Sequence, residues 1–315
     1  REMTAIPDVP YQDSLSWLYP PVLQENWRNT AQRRLNEALA NALRIPFTDQ
    51  SRFVFFSDLH RGNGARTDLF MPNKPLFLRA LRHYYTQGYT YVEVGDGDEL
   101  WLHYDLAAIR RAHGAVFDLL HQFYAGRRLF LLYGNHDMRE NGRSPRRKDG
   151  IPVHESVLLH HQDNGQTIFV CHGHQADLTS ERFYAITRMA NRHVWRYLRQ
   201  LGLGQVQANG TGSHYRLERI PKTLRAWMHA QPRRIEQRLL EWSAAQRQPL
   251  ICGHTHFAAW SENGRQPYFN TGNGIHPGVL TGLEIGDGAI HEVRWLWDGQ
   301  HARRESMRQQ PLAAL

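Results

Sequence analysis

The stretch that decides the fold is residues 53–60, FVFFSDLH, in which four apolar residues lead into a carboxylate and an imidazole. Residues 53–56 are typical of a strand buried on both faces, because the run is short, apolar and not alternating. Asp58 and His60 then follow the end of that strand. Ligands of an open α/β sheet bind at the carboxyl ends of its strands. The stretch therefore predicts a parallel sheet with a site at its edge.

The same arrangement recurs along the chain. Apolar runs at 91–94, 129–133, 168–170 and 250–252 each precede residues that are common metal ligands. These residues lie in Gly95-Asp96, Gly134-Asn135-His136-Asp137, Cys171-His172-Gly173-His174 and Gly253-His254-Thr255-His256, and Asn270-Thr271-Gly272 follows them. Because the carboxyl ends of parallel strands meet at one edge, we expect these side chains to lie together.

The spacing of the polar segments indicates βαβ units. The steps from Asp58 to Asp96, to Asn135 and to His172 are 38, 39 and 37 residues, about one strand, one crossover helix and two loops. The next step, to His254, is 82 residues. We expect the excess to be a helical cap, inserted at about residues 176–247.

The remaining segments complete the predicted domain organisation, an α/β protein. Residues 1–50 are expected to form an N-terminal helical extension, with a helix at 25–43. Residues 51–300 form the main domain, in which 268–297 alternates β-prone runs with Gly286-Asp287-Gly288 and predicts a hairpin of a second sheet. Residues 301–315 are expected to be a loose tail.

Composition narrows the class of protein. The chain has 315 residues, 41% of them hydrophobic, but no apolar stretch approaches the roughly 20 residues that span a bilayer. Since residues 1–49 also lack the apolar centre of a signal peptide, we expect a cytoplasmic location. The two cysteines are interpreted as small buried residues and not as a disulfide. The net charge of +8 favours an anionic partner or substrate.

The types of donor indicate which ions would bind. Asp, His and Asn offer oxygen and nitrogen ligands, which suit Mn, Fe, Zn, Co or Ni, and manganese is our first choice. About seven donors are too many for one ion, so we expect two divalent ions with Asp96 between them. Such a pair can polarise a phosphoryl oxygen and generate a hydroxide for in-line attack.

In their order, these motifs resemble the calcineurin-like metallophosphoesterase superfamily over residues 52–297. The resemblance implies a four-layer α/β/β/α sandwich. It also implies one metal held by Asp58, His60, Asp96 and His256, and a second held by Asp96, Asn135, His172 and His254. His136 would then protonate or stabilise the leaving oxygen, while Asp137 orients its ring.

A narrower resemblance is to the UDP-2,3-diacylglucosamine pyrophosphatases. It rests on Gly95-Asp96-Gly97-Asp98-Glu99 with Trp101 close behind, and on the insert after His172. Glu99 then becomes a candidate to support the metal ligands. The best-known enzymes of that group carry Arg in place of His136 and Asp in place of His174. The motifs fit a phosphodiesterase or a monoesterase equally well.

Further residues are candidates for substrate binding. His174 follows His172 and is expected to line the pocket, while Asn63 and Arg139 are candidates to contact a phosphate oxygen. Arg188 and Arg192 belong to a basic, aromatic helix of the insert, which is either a solvated face or a surface that binds a phosphate or membrane headgroup.

Several functions stay open at this point. The main hypothesis is a metal-dependent hydrolase of phosphoester or pyrophosphate bonds, with a phosphorylated small molecule or a nucleotide-linked or lipid-linked diphosphate as substrate. A manganese-dependent nuclease is less favoured, because no recognised nucleic-acid module accompanies the basic residues. A different class is a non-catalytic module that binds a membrane surface or phosphate. The oligomeric state is left open.

Overall fold

The structure is a computed structural model that describes residues 21–103, 105–138, 146–177, 206–209, 212–215, 222–261 and 267–315. Its helices are α1 (Pro21–Ala40), α2 (Lys74–Thr86), α3 (Leu106–Ala112), α4 (Gly114–Ala125) and α5 (Lys222–Gln246). Its strands are β1 (Leu43–Phe47), β2 (Phe53–Phe56), β3 (Thr90–Val94), β4 (Leu129–Leu132), β5 (Arg147–Lys148), β6 (Ile151–His154), β7 (Ser156–His161), β8 (Thr167–Cys171), β9 (Val206–Asn209), β10 (Gly212–Tyr215), β11 (Leu250–Cys252), β12 (Ala258–Trp260), β13 (Tyr268–Thr271), β14 (Val279–Gly286), β15 (Ala289–Trp297) and β16 (Ala302–Pro311).

An eight-stranded sheet contains the first three strands that were predicted to precede metal ligands. Its order is β16-β15-β14-β2-β3-β4-β6-β5, and β2, β3, β4 and β6 run parallel to one another. In the parallel part, Phe53 pairs with Thr90 and Tyr91 with Leu129. The carboxyl ends of β2, β3 and β4 therefore lie side by side.

A six-stranded sheet contains the remaining two, in the order β1-β7-β8-β11-β13-β12. The strands β8, β11 and β13 are parallel, with Leu250 opposite both Phe169 and Tyr268. The segments after β8 and β11 consequently emerge at one edge. A separate antiparallel pair, β9 with β10, lies within the predicted insert.

Three apolar cores show that the molecule has four layers. The first core packs α2, α3 and α4 against one face of the eight-stranded sheet, and the second fills the space between the two sheets. The third packs α1 and α5 against the outer face of the six-stranded sheet, with Trp242 and Leu35 among its members. The predicted α/β/β/α sandwich is confirmed.

α2 buries one face in the first core. Its buried residues include Leu76, Phe77, Leu81 and Tyr84. These side chains recur at three- and four-residue spacing and so cover one stripe of the helix. α3 begins at Asp105, whose side chain accepts a hydrogen bond from the Ala107 N–H at 2.8 Å, a common N-cap contact.

The N-terminal prediction needs one correction, because residues 43–47 are a strand. α1 ends at Ala40, and β1 then pairs parallel with β7, with Ile45 opposite Leu159. Ile45 and Phe47 are buried, whereas Leu43, Arg44 and Pro46 are exposed. This alternation is typical of an edge strand, but it is too short to stand out beside the helix. Residues 1–20 lie outside the described part of the chain.

The expectation of a loose C-terminal tail is wrong. Residues 302–311 form β16, which pairs with β15 from Ala302 opposite Trp297 to Pro311 opposite Ala289. Arg304 makes a two-pronged contact with the buried carboxylate of Glu284, at 2.7 and 2.5 Å. The strand looks like a tail in the sequence because it is an edge strand with mostly polar, exposed side chains, a composition that protects sheet edges.

The insert differs from a simple cap in the part that the structure describes. The end of α5 belongs to the outer helical layer, since Ile235, Leu239 and Trp242 pack in the third core. Residues 178–205, which include the first predicted insert helix, lie outside the described residues. A cap over the site edge therefore stays a prediction. Among the described helices, none is long and apolar enough to cross a membrane.

Candidate metal centre

The predicted ligands converge where the two sheets meet. Asp58 and His60 follow β2, Asp96 follows β3 and Asn135 follows β4, while His172 follows β8 and His254 and His256 follow β11. Five of the seven are buried, and His254 and His256 are partly exposed. The structure thus brings together residues that are as much as 198 positions apart in the chain.

One group consists of Asp58, His60 and His256. The His256 Nε2 atom lies 3.1 Å from Asp58 Oδ1 and 3.2 Å from His60 Nε2. One donor atom from each residue lies within 4.8 Å of the others. These distances are compatible with three donors around a single small ion.

A second group consists of Asp96, His172 and His254. The His172 Nε2 atom lies 3.2 Å from both Asp96 Oδ2 and His254 Nδ1. Asp96 Oδ2 is also 3.9 Å from His60 Nε2 of the first group. Asp96 therefore lies between the two groups, where the sequence predicts a bridging carboxylate.

Asn135 offers an independent sign that the cluster binds something. Its side chain is buried, yet its Oδ1 atom has no hydrogen-bond partner among the described residues. Leaving such an atom unpaired costs roughly 1–3 kcal/mol. A cation at the cluster would satisfy it.

The backbone around the cluster adopts conformations that are uncommon for residues with side chains. Asp58, His60, Asp96, His254 and His256 have φ values of 52°, 48°, 50°, 71° and 62°. Such left-handed residues cost of order 1–3 kcal/mol each and concentrate at functional sites. The strained backbone turns each ligand toward the others.

Two glycines make the close approach possible. A Cβ atom on Gly134 would lie 2.2 Å from Asp96 Oδ1, and one on Gly253 would lie 2.2 Å from Ser57 Oγ. The Gly253 peptide leads into His254, whose N–H donates to Asp58 Oδ2 at 2.9 Å. The glycines of the Gly-Asn-His-Asp and Gly-His-Thr-His motifs are thus required by space.

Three of the four predicted histidine ligands are oriented through the other ring nitrogen. The Nδ1–H of His172 donates to the Val94 carbonyl at 2.8 Å, and that of His60 to Glu99 Oε2 at 3.2 Å. The Nε2–H of His254 donates to Asp177 Oδ2 at 3.2 Å. Such contacts fix the tautomer and leave the inward nitrogen free to bind a metal.

His136 lies beside the two groups, with a ring nitrogen within 4.8 Å of donor atoms of His60 and Asp96. Its Nδ1–H donates to Glu99 Oε1 at 2.9 Å, and its ring stacks on Trp101 with centroids 4.1 Å apart. Its side chain is 20% exposed. Because Nδ1 faces Glu99, Nε2 is the nitrogen available to a substrate.

The ring of His136 contacts Glu99, whereas Asp137 was predicted to orient it. Asp137 instead accepts hydrogen bonds from Gly134 N–H at 2.9 Å, Asp98 N–H at 3.1 Å and Lys148 Nζ at 2.9 Å. The neighbouring side chains of His136 and Asp137 therefore contact different groups. Glu99, predicted only as support for the ligands, contacts both His60 and His136.

Charges within the cluster reinforce one another. Burial would raise the pKa of Asp58, but His256 and His172 outweigh it and lower that pKa to about 2. Burial would lower the pKa of His172, but Asp96 and Asp58 raise it to about 9. The carboxylates thus remain ionised and attract positive charge, whether a proton on histidine or a metal cation.

A second buried cluster, which we call the charge network, consists of Arg61, Glu93, Asp98, Asp137 and Lys148. Arg61 contacts both oxygens of Glu93, at 2.7 and 2.8 Å, and Asp98 at 2.7 Å. Lys148 Nζ lies 2.9 Å from Asp98 and Asp137. Sequence analysis missed it, although Glu93 in a strand predicted to be buried signals that a cation must lie nearby.

Asp177 is a further residue that sequence analysis missed. It lies just after the short helical turn His174–Ala176 and contacts His254. The signal that could have found it is a carboxylate within a few residues of a predicted histidine ligand. Such carboxylates commonly accept the second N–H of a metal-bound imidazole.

The candidate substrate residues fall into different places. His174 is buried, and its ring centroid is 5.5 Å from that of His172. Burial, together with His172 and His254, holds the pKa of His174 well below its usual range. Asn63 is exposed, and its Oδ1 accepts the Ala65 N–H at 3.1 Å within its own loop. Arg139, Arg188 and Arg192 lie outside the described residues.

The four layers and the clustered Asp and His residues agree with the sandwich fold and the grouping of donors that the motifs predict. No family model matches the chain, and no curated protein does. Among solved structures, the chain is similar to the phosphoesterase YfcE from E. coli, with 15% identity, a TM-score of 0.41, and coverage of 82% of this chain and 98% of that one.

Two other solved structures show a comparable similarity. Vps29 from Entamoeba histolytica, complexed with Zn²⁺, is 15% identical, with a TM-score of 0.36 and coverage of 81% of this chain and 98% of that one. A putative 5'-nucleotidase from Staphylococcus aureus is 15% identical, with a TM-score of 0.33 and coverage of 82% of this chain and 54% of that one.

Proposed function

We propose that the protein is a metal-dependent hydrolase of phosphoester or pyrophosphate bonds that uses two divalent ions. The observation that carries this proposal is the pair of neighbouring Asp/His groups, in which Asp96 of the second group lies 3.9 Å from His60 of the first. A protein that only needed a stable core would not retain ionised carboxylates, strained ligands and an unpaired Asn135 oxygen at one place.

The donor set fits the ions that it would hold. Asp58, His60 and His256 would bind one ion, His172, His254 and Asn135 the other, and Asp96 would bind both. Oxygen and imidazole nitrogen suit manganese, iron, zinc, cobalt or nickel, and we take manganese as the first choice. When bound, the ions would polarise a phosphoryl oxygen and supply the nucleophile near neutral pH.

The residues of the chain supply orientation and a proton. His136, with Nδ1 bonded to Glu99 and its ring stacked on Trp101, presents Nε2 to the leaving oxygen. Burial would lower the pKa of His136, but Glu99 and Asp96 raise it to about 9 before any metal binds, which favours a protonated ring. It therefore acts as the acid, and general acid catalysis contributes typically 10²–10⁴-fold.

We further propose a phosphorylated small molecule as substrate, with a nucleotide-linked or lipid-linked diphosphate as the narrower choice. The net charge of +8 favours such an anion. A nuclease or a non-catalytic phosphate-binding module would share the same cluster. A nuclease would cleave nucleic acid, and a non-catalytic module would cleave nothing. A screen across nucleotide diphosphates, cyclic nucleotides, monoesters, lipid-linked diphosphates and single-stranded DNA therefore separates them from the proposed hydrolase.

The direct test measures bound metal and hydrolysis of an aryl phosphodiester with added manganese. The wild type should hold close to two ions and be active, whereas Asp96→Asn should lose both properties. The matched control is His301→Asn, since His301 is 79% exposed and its ring contacts Asp298, which is not a predicted ligand. A wild-type protein that binds no metal, or binds two ions and cleaves nothing in the screen, would refute the proposal.

A further inference from the structure

The charge network lies next to the candidate metal centre. It joins residues from four separate segments of the chain, the first of which contains Arg61. Glu93 belongs to β3, Asp98 follows β3, and Asp137 follows β4. Lys148 comes from β5, the two-residue strand at the edge of the eight-stranded sheet. Apart from this lysine, the network consists of residues in or beside the ligand-bearing loops.

The charges of the network nearly balance. Arg61 is fully buried between Glu93 and Asp98, and Lys148 is 3% exposed between Glu93, Asp98 and Asp137. Without Lys148, three buried carboxylates would face a single guanidinium. Removing one partner of a buried ion pair is strongly destabilising locally, because the remaining charge has no compensation.

The network is continuous with the loop that carries Asn135 and His136. Asp137 Oδ2 accepts the Gly134 N–H, while its Oδ1 accepts the Asp98 N–H and the Lys148 ammonium. The two oxygens of Asp137 therefore connect Gly134 of its own loop with Asp98 and Lys148 of two other segments. A further hydrogen bond joins the two loops, because the Asp96 carboxylate accepts the His136 N–H at 2.8 Å.

We propose that Lys148 is a positioning residue for the reaction, which holds the loop of residues 134–137 against the loop of residues 96–99 through Asp137 and Asp98. This inference rests on the proposed function. Lys148 reaches neither the substrate nor the metal ligands directly. It acts on the placement of His136, and so on the rate of the chemical step.

The test compares Lys148→Met with Lys74→Met. Lys74 is also partly buried, but its Nζ bonds the Ala112 carbonyl at 2.7 Å, outside the network. We expect K148M to lower kcat by about 10–100-fold, the usual effect of losing a partner behind a metal site. KM and metal content should stay unchanged. K74M should alter the melting temperature but not kcat.

A second readout does not depend on activity. Hydrogen exchange of the Gly134 and His136 amides should become faster in K148M and stay unchanged in K74M, since only the former loses the contact at Asp137. If the wild type hydrolyses nothing, the proposed function fails, yet the exchange result still decides the role of Lys148. Unchanged kcat and unchanged exchange in K148M would overturn the inference.

A second variant, Asp137→Asn, covers the case in which K148M folds poorly. Asp137→Asn places an amide N–H₂ where a carboxylate oxygen accepts, so D137N should reproduce the slower kcat and the faster exchange at residue 134. If the two residues act through one contact, D137N should cost less in the K148M background than in the wild type. Wild-type behaviour of D137N, or strictly additive effects of the two substitutions, would contradict the proposal.

Discussion

The candidate metal centre and the charge network are both buried, polar and built around the same strand ends, yet they differ in how their charges are compensated. In the network, each charged group has an opposite charge within 3.4 Å. In the centre, the side chains that could compensate the charge of Asp58 and Asp96 are histidines, and the Asn135 Oδ1 atom has no hydrogen-bond partner among the described residues. A compensated cluster holds loops in place, whereas an uncompensated one marks where a ligand binds.

The largest effect is expected at His136. His136→Ala should reduce kcat by roughly 10²–10⁴-fold, because the proton donor is lost. The metal content should stay at the wild-type value, since the ligands of both groups remain. Metal analysis beside steady-state kinetics checks this, and a variant that lost its metals would place His136 among the ligands instead.

A smaller effect is expected for Glu99→Gln. The amide can still meet one ring but not accept from both His60 and His136, so kcat should fall by about 10–100-fold. The loss should be smaller than that of His136→Ala and should nearly vanish when Glu99→Gln is added to that variant. Full additivity would mean that Glu99 acts elsewhere.

Added metal should raise the melting temperature through the candidate metal centre and not through the charge network. Manganese at 100 times its Kd should stabilise the folded protein by about 2.7 kcal/mol, seen as a higher melting temperature. The same increment should appear in Lys148→Met, whose metal ligands are intact, and be absent in Asp96→Asn. An equal increment in Asp96→Asn would show that manganese binds outside the centre.

A compensated pair far from the centre should affect stability alone. Arg304→Met leaves the buried Glu284 carboxylate without its cation, which should cost about 2 kcal/mol once the partial exposure of Arg304 is allowed for. Denaturant unfolding measures this, and kcat should be unchanged. No change in stability would mean that β16 is held by its strand pairing rather than by this ion pair.

The smallest effect is a pH dependence at Asp68. Burial would raise the pKa of Asp68, but His113, 2.8 Å away, and the Gly64 and Gly62 amides lower it below 3.8. The ionised form therefore contributes stability above pH 3.8 that is lost as the pH falls through the lowered pKa. The difference in unfolding free energy between wild type and Asp68→Asn should be largest near pH 7 and shrink below pH 4. A difference that grows on acidification would contradict this.

Much of the centre could be predicted from the sequence because the order and direction of the strands determine which residues meet. Once β2, β3 and β4 are read as parallel strands, Asp58, Asp96 and Asn135 have to meet at one edge. The helices of the first core are similarly visible from the spacing of their apolar residues. No distances were needed for either inference.

The parts that were missed depend on contacts that no periodic pattern records. Lys148 lies on a two-residue strand, and nothing local shows that its side chain reaches Asp137. The orientation of His136 toward Glu99 rather than Asp137 depends on the turn that separates neighbouring side chains. The polar sequence of β16 similarly conceals its pairing with β15.

The left-handed backbone of the ligands has a consequence for how the protein would change under selection. His60, His254 and His256 each hold a conformation that glycine or asparagine adopts at lower cost. Replacing one of them with asparagine would relieve part of the roughly 1–3 kcal/mol that such a conformation costs. A population selected for heat resistance in the absence of divalent ions should therefore accumulate substitutions at these histidines early, and would lose the centre while gaining a more durable fold.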